Sequence, residues 1–172
     1  MTTALAGEGP SELLVPTYVG CLETKKDALL LLEACFRGDL HHSFCGPRGV
    51  ASAIRSGCIF IWEQDISAVQ YWNDGLFWTP IDRDGDFWIS DETTTDDGLR
   101  KKTLSVPALG RFHHIVSYYN PWDTINGTLE APSQDLNLER MALRDELASQ
   151  LTTQSASTNH FPHSILKVNH SS

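Results

Sequence analysis

At 172 residues with 41% apolar content, the chain can bury one substantial core, so a single domain is expected. Its 13 Lys and Arg against 22 Asp and Glu give a formal net charge of −9, which argues against tight, nonspecific nucleic-acid binding. The longest strongly apolar run, Ala28 to Leu32, falls far short of the roughly 20 residues of a membrane helix. The opening MTTALAGEGPSELL lacks the basic start and apolar core of a secretory signal, so an intracellular protein without a membrane partner is expected.

Residues 1–14 are small, polar and patternless, and are read as disordered. Thr17 to Cys21 begins the ordered part as a short strand. The clearest helix follows: Thr24 is a candidate N-cap, and Asp27 stands at the capping-box position three residues on. Apolar residues then fill Ala28–Leu32 and Ala34–Phe36, and Gly38 is placed to terminate the helix. Apolar on most sides, this helix is expected to be buried on most sides.

LHHSFCG is a loop by composition, and a second helix is expected from near Pro47 to Gly57. Cys58–Trp62 reads as a strand. Val69–Trp72 and Leu76–Trp78 flank Asn73-Asp74-Gly75, the signal of a tight hairpin. Asp86–Ser90 is a further strand. The acidic stretch 91–99 is read as a loop joining lobes at about 15–92 and 99–138. Lys101–Val106 and Phe112–Tyr119 form strands around a turn at Pro107–Gly110. Leu136–Leu151 has helical spacing, giving a C-terminal helix over 139–151, and 152–172 is read as a disordered tail. The class is α+β: a mostly antiparallel sheet shared by two sequence blocks, a buried N-terminal helix and a few short helices.

Few patterns point to chemistry. His41, His42, Cys45, Cys58, His113 and His114 are metal-ligand types, but they lack the C-x2-4-C or H-x3-5-H spacing of zinc sites. No metal or cofactor is expected, and Cys21, Cys35, Cys45 and Cys58 read as reduced core thiols. No nucleophile elbow or phosphate loop is present, and DRDGD at 82–86 lacks the remainder of a calcium loop. An enzyme is not expected. The basic triplet Arg100-Lys101-Lys102, with Arg48, Arg55 and Arg111, holds the candidate phosphate contacts.

Several pieces taken together resemble the WOPR-box family of fungal transcriptional regulators. These are TYVG leading into DALLLLEAC-RG, IRSG before CIFIWE, W-DG--W-P, and the Gly85–Phe87 strand. LRKKTLSV, HHIVSYY and APSQD follow in the family's order. The resemblance spans about 17–138 and implies a divergent, short member: a DNA-binding α+β domain at 15–138, acting in the nucleus. It implies sequence-specific reading of double-stranded DNA, partly by a loop in the minor groove, where cations are attracted by the negative potential. The arginine-rich loop of the family is here HHSFCGPRG, with Arg48 as its cation. Tyr71, Ile81 and Asp82 stand where the family commonly has basic or Ser-Arg residues. Arg48, Arg55, Lys101, Lys102 and Arg111 are the expected DNA contacts. Thr103, after Arg-Lys-Lys, is a phosphorylation candidate whose phosphate would offset that triplet. The alternative reading is a paralogue that keeps the fold but serves as a protein-interaction module.

Overall fold

The computed structural model describes residues 15–43, 54–64, 72–94 and 98–152. The chain order is β1 (Tyr18–Val19), α1 (Lys25–Arg37), β2 (Cys58–Glu63), β3 (Asp82–Asp84), β4 (Phe87–Asp91), β5 (Arg100–Ala108), β6 (Arg111–Tyr119), α2 (Pro121–Ile125), a 3-10 turn at Pro132–Gln134 and α3 (Asp145–Thr152). All pairings are antiparallel, in one six-stranded sheet ordered β1-β2-β6-β5-β4-β3. Asp91 pairs with Arg100 across the acidic stretch. Sequence on either side of that stretch therefore belongs to one sheet, as the α+β reading expects.

Helix α1 is fixed at both ends by local chemistry. The Asp27 amide donates to Thr24 Oγ1 at 3.4 Å, and Asp27 Oδ2 accepts from the Thr24 amide at 2.8 Å. The other Asp27 oxygen accepts from the Ser133 amide at 3.0 Å, so the capping carboxylate also docks the 3-10 turn. Gly38, at φ 80°, closes the helix in the left-handed conformation. Leu29, Leu30, Leu31 and Leu32 are fully buried, each worth roughly 2 kcal/mol of apolar transfer.

Strand alternation divides the core in two. On one face Ile59, Ile61, Leu104, Val106 and Ile115 pack with α1. On the other, Cys58, Phe60, Trp62, Val116 and Tyr118 receive Trp72 and Trp78. The Trp62 and Trp72 rings stack at 4.8 Å. The tryptophans are therefore mainly core. Buried Cys21 and Cys35 have their thiol pKa values pushed up by burial, to about 11 and about 12, which keeps them protonated and unreactive.

Three expectations differ from the structure, and one strand has no counterpart among them. Residues 54–57 are not helical. Gly57, at φ 99°, sits in a turn and its amide donates to Tyr118 O at 2.8 Å; the earlier part of the expected helix lies outside the described residues. Leu76–Trp78 is not a hairpin strand. The Leu76 amide donates to Asp74 Oδ1, a side-chain turn that supplies the chain reversal without a ladder, and Trp78 makes one isolated bridge, to Glu92. DRD at 82–84 is a strand, exposed at the sheet edge. At the C-terminus, helix begins at Asp145 instead of 139. Residues 136–140 are turns that leave Leu136 81% exposed, so the leucine spacing there is not a buried face.

Candidate nucleic-acid interface

In a strand, neighbouring side chains point to opposite faces, and β5 separates the basic triplet accordingly. Arg100 donates from Nε to Asp91 Oδ1 at 2.7 Å. Lys101 turns to the tryptophan face, with its ammonium 3.3 Å from Asp74 Oδ2 and 4.4 Å from the Trp78 ring centre. Lys102 turns to the α1 face, is 8% exposed, and donates to Leu22 O at 2.7 Å. Phe87 and Tyr119 rings lie 4.9 Å and 5.2 Å from its nitrogen. Burial lowers the pKa of both lysines; Asp74 opposes this for Lys101 and Asp84 for Lys102. Both lysines are thus part of the internal scaffold of the sheet, while Arg100 is held in a partly exposed ion pair at its strand end.

Asp74 anchors that scaffold. It is 3% exposed. Its Oδ1 accepts from Trp78 Nε1 at 3.0 Å, and its Oδ2 from the Tyr118 hydroxyl at 2.7 Å. Tyr118 in turn accepts from Trp72 Nε1. One buried carboxylate thereby orients both tryptophans and Lys101. Sequence reading treated this residue as a turn signal; its partners Lys101 and Tyr118 stand 27 and 44 positions away.

The other candidates are dispersed. Arg111 opens β6 and pairs with Glu63 at 3.1 Å. Arg100 faces Tyr119 at the other end of β6, about 27 Å away at ~3.4 Å per residue. Arg55 lies at Arg100's end: its carbonyl accepts from the Cys58 amide at 3.1 Å, beside the Gly57–Tyr118 contact. Its side chain is exposed and makes no ion pair with another described residue. Arg48 lies outside the described residues. Burial, then His113, lowers the pKa of His42, so that imidazole does not replace a missing arginine.

Thr103 is 3% exposed, paired with Trp88 on one side and Val116 on the other. A kinase would have to open the centre of the sheet to reach it. A serine–histidine pair does exist: Ser105 Oγ stands 2.7 Å from His114 Nδ1, and Gln64 Oε1 is 2.9 Å from Nε2. Both ring nitrogens are already engaged and the ring is fully buried beside Trp62. Burial, then His113, pushes its pKa down to about 4. This relay stiffens the sheet and offers no substrate position. Among the described residues no helix is long and apolar enough to cross a membrane.

Comparison with known proteins converges on one family. The Gti1/Pac2 family model matches residues 17–94. The WOPR domain of Wor1 from Candida albicans, solved with a 13-bp duplex, superposes with a TM-score of 0.71 at 27% identity. That match covers 83% of this chain and 99% of that domain. The chain is similar in sequence and in fold to the WOPR-box family. Among full-length relatives, the global transcription regulator sge1 of Gibberella fujikuroi is 28% identical over 212 residues, covering 83% of this chain. The chain spans 63% of that regulator's length. Transcriptional regulator MIT1 of Saccharomyces cerevisiae is 38% identical over 79 residues, which is 45% of this chain and 12% of that one. The WOPR-family relatives are transcription regulators and not enzymes.

Proposed function

We propose that this chain is a sequence-specific, DNA-binding transcription regulator of the nucleus, reading double-stranded DNA with a loop and holding it by phosphate contacts. The observation that carries this reading is the match over 99% of the Wor1 WOPR domain, a domain solved on duplex DNA. The fold puts Lys101 and Lys102 to internal use, so the contacts fall to other cations. Arg55 is one, and Arg48 in HHSFCGPRG is the other main candidate. Arg111 would reach phosphate only by sharing its guanidinium with Glu63. With few cations available, base reading and DNA shape would carry more of the affinity than charge, giving a shallow salt dependence.

The direct test is selection of the full chain against a randomised duplex pool, followed by anisotropy titration of the enriched sequence at about 50 mM salt. Enrichment of one motif supports the reading; a pool that stays random refutes it. The ion pairs of Arg100 and Lys101, the burial of Lys102 and the net charge of −9 favour one second reading, a WOPR-fold module that pairs with a protein partner. Motif selection that arises only when a co-purifying DNA-binding protein is present would favour that reading.

A further inference from the structure

Three elements meet at the end of the sheet where β2 finishes and β6 begins. Glu63 and His113 are directly opposite one another across the β2–β6 ladder, so their side chains leave the same face as neighbours. His42 arrives from the segment after α1. That segment is tied to the sheet by the Ser43 amide, which donates to Ile61 O at 2.6 Å. One ligand atom from each of His42, Glu63 and His113 lies within 4.8 Å of the other two.

The hydrogen bonding of the rings makes this more than proximity. His113 is 1% exposed, and its Nε2 stands 3.0 Å from the Ala108 carbonyl. A carbonyl can only accept, so Nε2 carries the proton and Nδ1 presents a lone pair. That Nδ1 is buried and has no hydrogen-bond partner among the described residues; His42 Nε2 is in the same condition. The two rings are 5.7 Å apart centre to centre. A metal-binding imidazole commonly has this arrangement, with one nitrogen donating to a backbone carbonyl and the other left open. Two unpartnered buried nitrogens cost stability unless something occupies the space between them. Glu63 adds a negative charge, one oxygen of which accepts from Arg111 Nε at 3.1 Å.

We propose that His42, Glu63 and His113 form a divalent transition-metal site of the zinc class. Two imidazoles and a carboxylate suit zinc, with cobalt and nickel as chemical substitutes. Nitrogens bound at about 2.0–2.1 Å to a tetrahedral ion stand about 3.3 Å apart. The cluster therefore needs to contract by at most about 1.5 Å, a movement that half-buried His42 on its loop can make. The fourth position is left for water. The site would fasten the segment after α1 to the sheet a few residues before Arg48. Spacings of 21 and 50 residues between the ligands hide it from any local zinc pattern.

The experiment is titration of the metal-stripped full chain with Zn2+ by calorimetry, and with Co2+ by visible absorption. Wild type is compared with His42→Ala and Glu63→Gln; both positions are half-buried, so these variants are expected to fold, and circular dichroism checks that they do. The expected result is one ion per chain at micromolar affinity or tighter, weakened at least tenfold in each folded variant. The Co2+ spectrum should show tetrahedral nitrogen–oxygen ligation without a thiolate charge-transfer band. Affinity unchanged in both variants, a thiolate band, or binding only at millimolar metal would each overturn the proposal. None of these readouts uses DNA, so failure here is separate from failure of the DNA-binding reading.

Discussion

Removing the charge of Glu33 should reveal how the C-terminal segment is held against the first helix. Glu33 lies within α1 and is 2% exposed. It accepts from Arg37 Nε at 3.0 Å, from Arg144 Nε at 2.9 Å and from the Arg144 amide at 3.1 Å. Burial alone would raise its pKa, but the Arg144 and Arg37 contacts outweigh it and bring the carboxyl from 4.5 to about 2. That difference corresponds to roughly 3 kcal/mol of stability at pH 7. Because the folded-state value is the depressed one, the stabilisation is complete above about pH 5 and is lost as pH falls towards 2. Glu33→Gln keeps the shape and loses the charge, while both arginine side chains remain partly hydrated. The expected cost is about 2–3 kcal/mol at pH 7, shrinking to about half of that at pH 3. Urea unfolding of both proteins, followed by tryptophan fluorescence at pH 7, 5 and 3, reads this directly. A gap that stays constant with pH, or one below about 0.5 kcal/mol at pH 7, would refute the electrostatic account.

Five further outcomes are expected. Asp74→Asn removes the charge facing Lys101 and misplaces an N–H against Tyr118 or Trp78; a loss of about 3–5 kcal/mol is expected, with altered tryptophan fluorescence in the native state. In DNA titrations across a salt series, Arg55→Ala should reduce the salt slope by about one. Lys102→Met should instead lower the unfolding midpoint and leave the slope of the folded protein unchanged. Leu109→Asn should stabilise by about 0.5–1 kcal/mol in thermal unfolding. Leu109, at φ 53°, and Gly110, at φ 74°, form the two-residue β5–β6 turn, where Asn-Gly is the preferred pair, and Leu109 is 53% exposed. Thr103→Glu should unfold the domain instead of acting as a phosphate mimic, seen as loss of the cooperative transition.

Local signals were legible and long-range ones were not. The ends of α1 are encoded within Thr24, Asp27 and Gly38, so the sequence alone places them. Strands β5 and β6 carry enough alternating apolar residues to be seen as well. Arg-Lys-Lys was read as a patch because residue type dominated over strand period. Once those residues form β5, the pleat alone splits Lys101 from Lys102. Asn-Asp-Gly marked a turn correctly, but whether it reversed two strands depended on Asp74 finding Tyr118 and Lys101 across the sheet. Strand β3 has no apolar residue to betray it. Its pairing is dictated by β4, through Gly85 at φ 59°.

The strand order has a consequence for how the chain assembles. The first sequence block supplies both flanks of the sheet, β1-β2 on one side and β4-β3 on the other, and the β5–β6 hairpin fills the gap between them. Within residues 17–94, the span of the family match, β2 and β4 each lack their inner neighbour. On the ribosome, Ile59, Ile61 and the buried tryptophan cluster must wait for the last-made strands before either flank is closed. Such non-local pairing slows folding and leaves open strand edges during synthesis. The central hairpin is therefore the keystone: its emergence joins two halves that the chain makes first and cannot complete by itself.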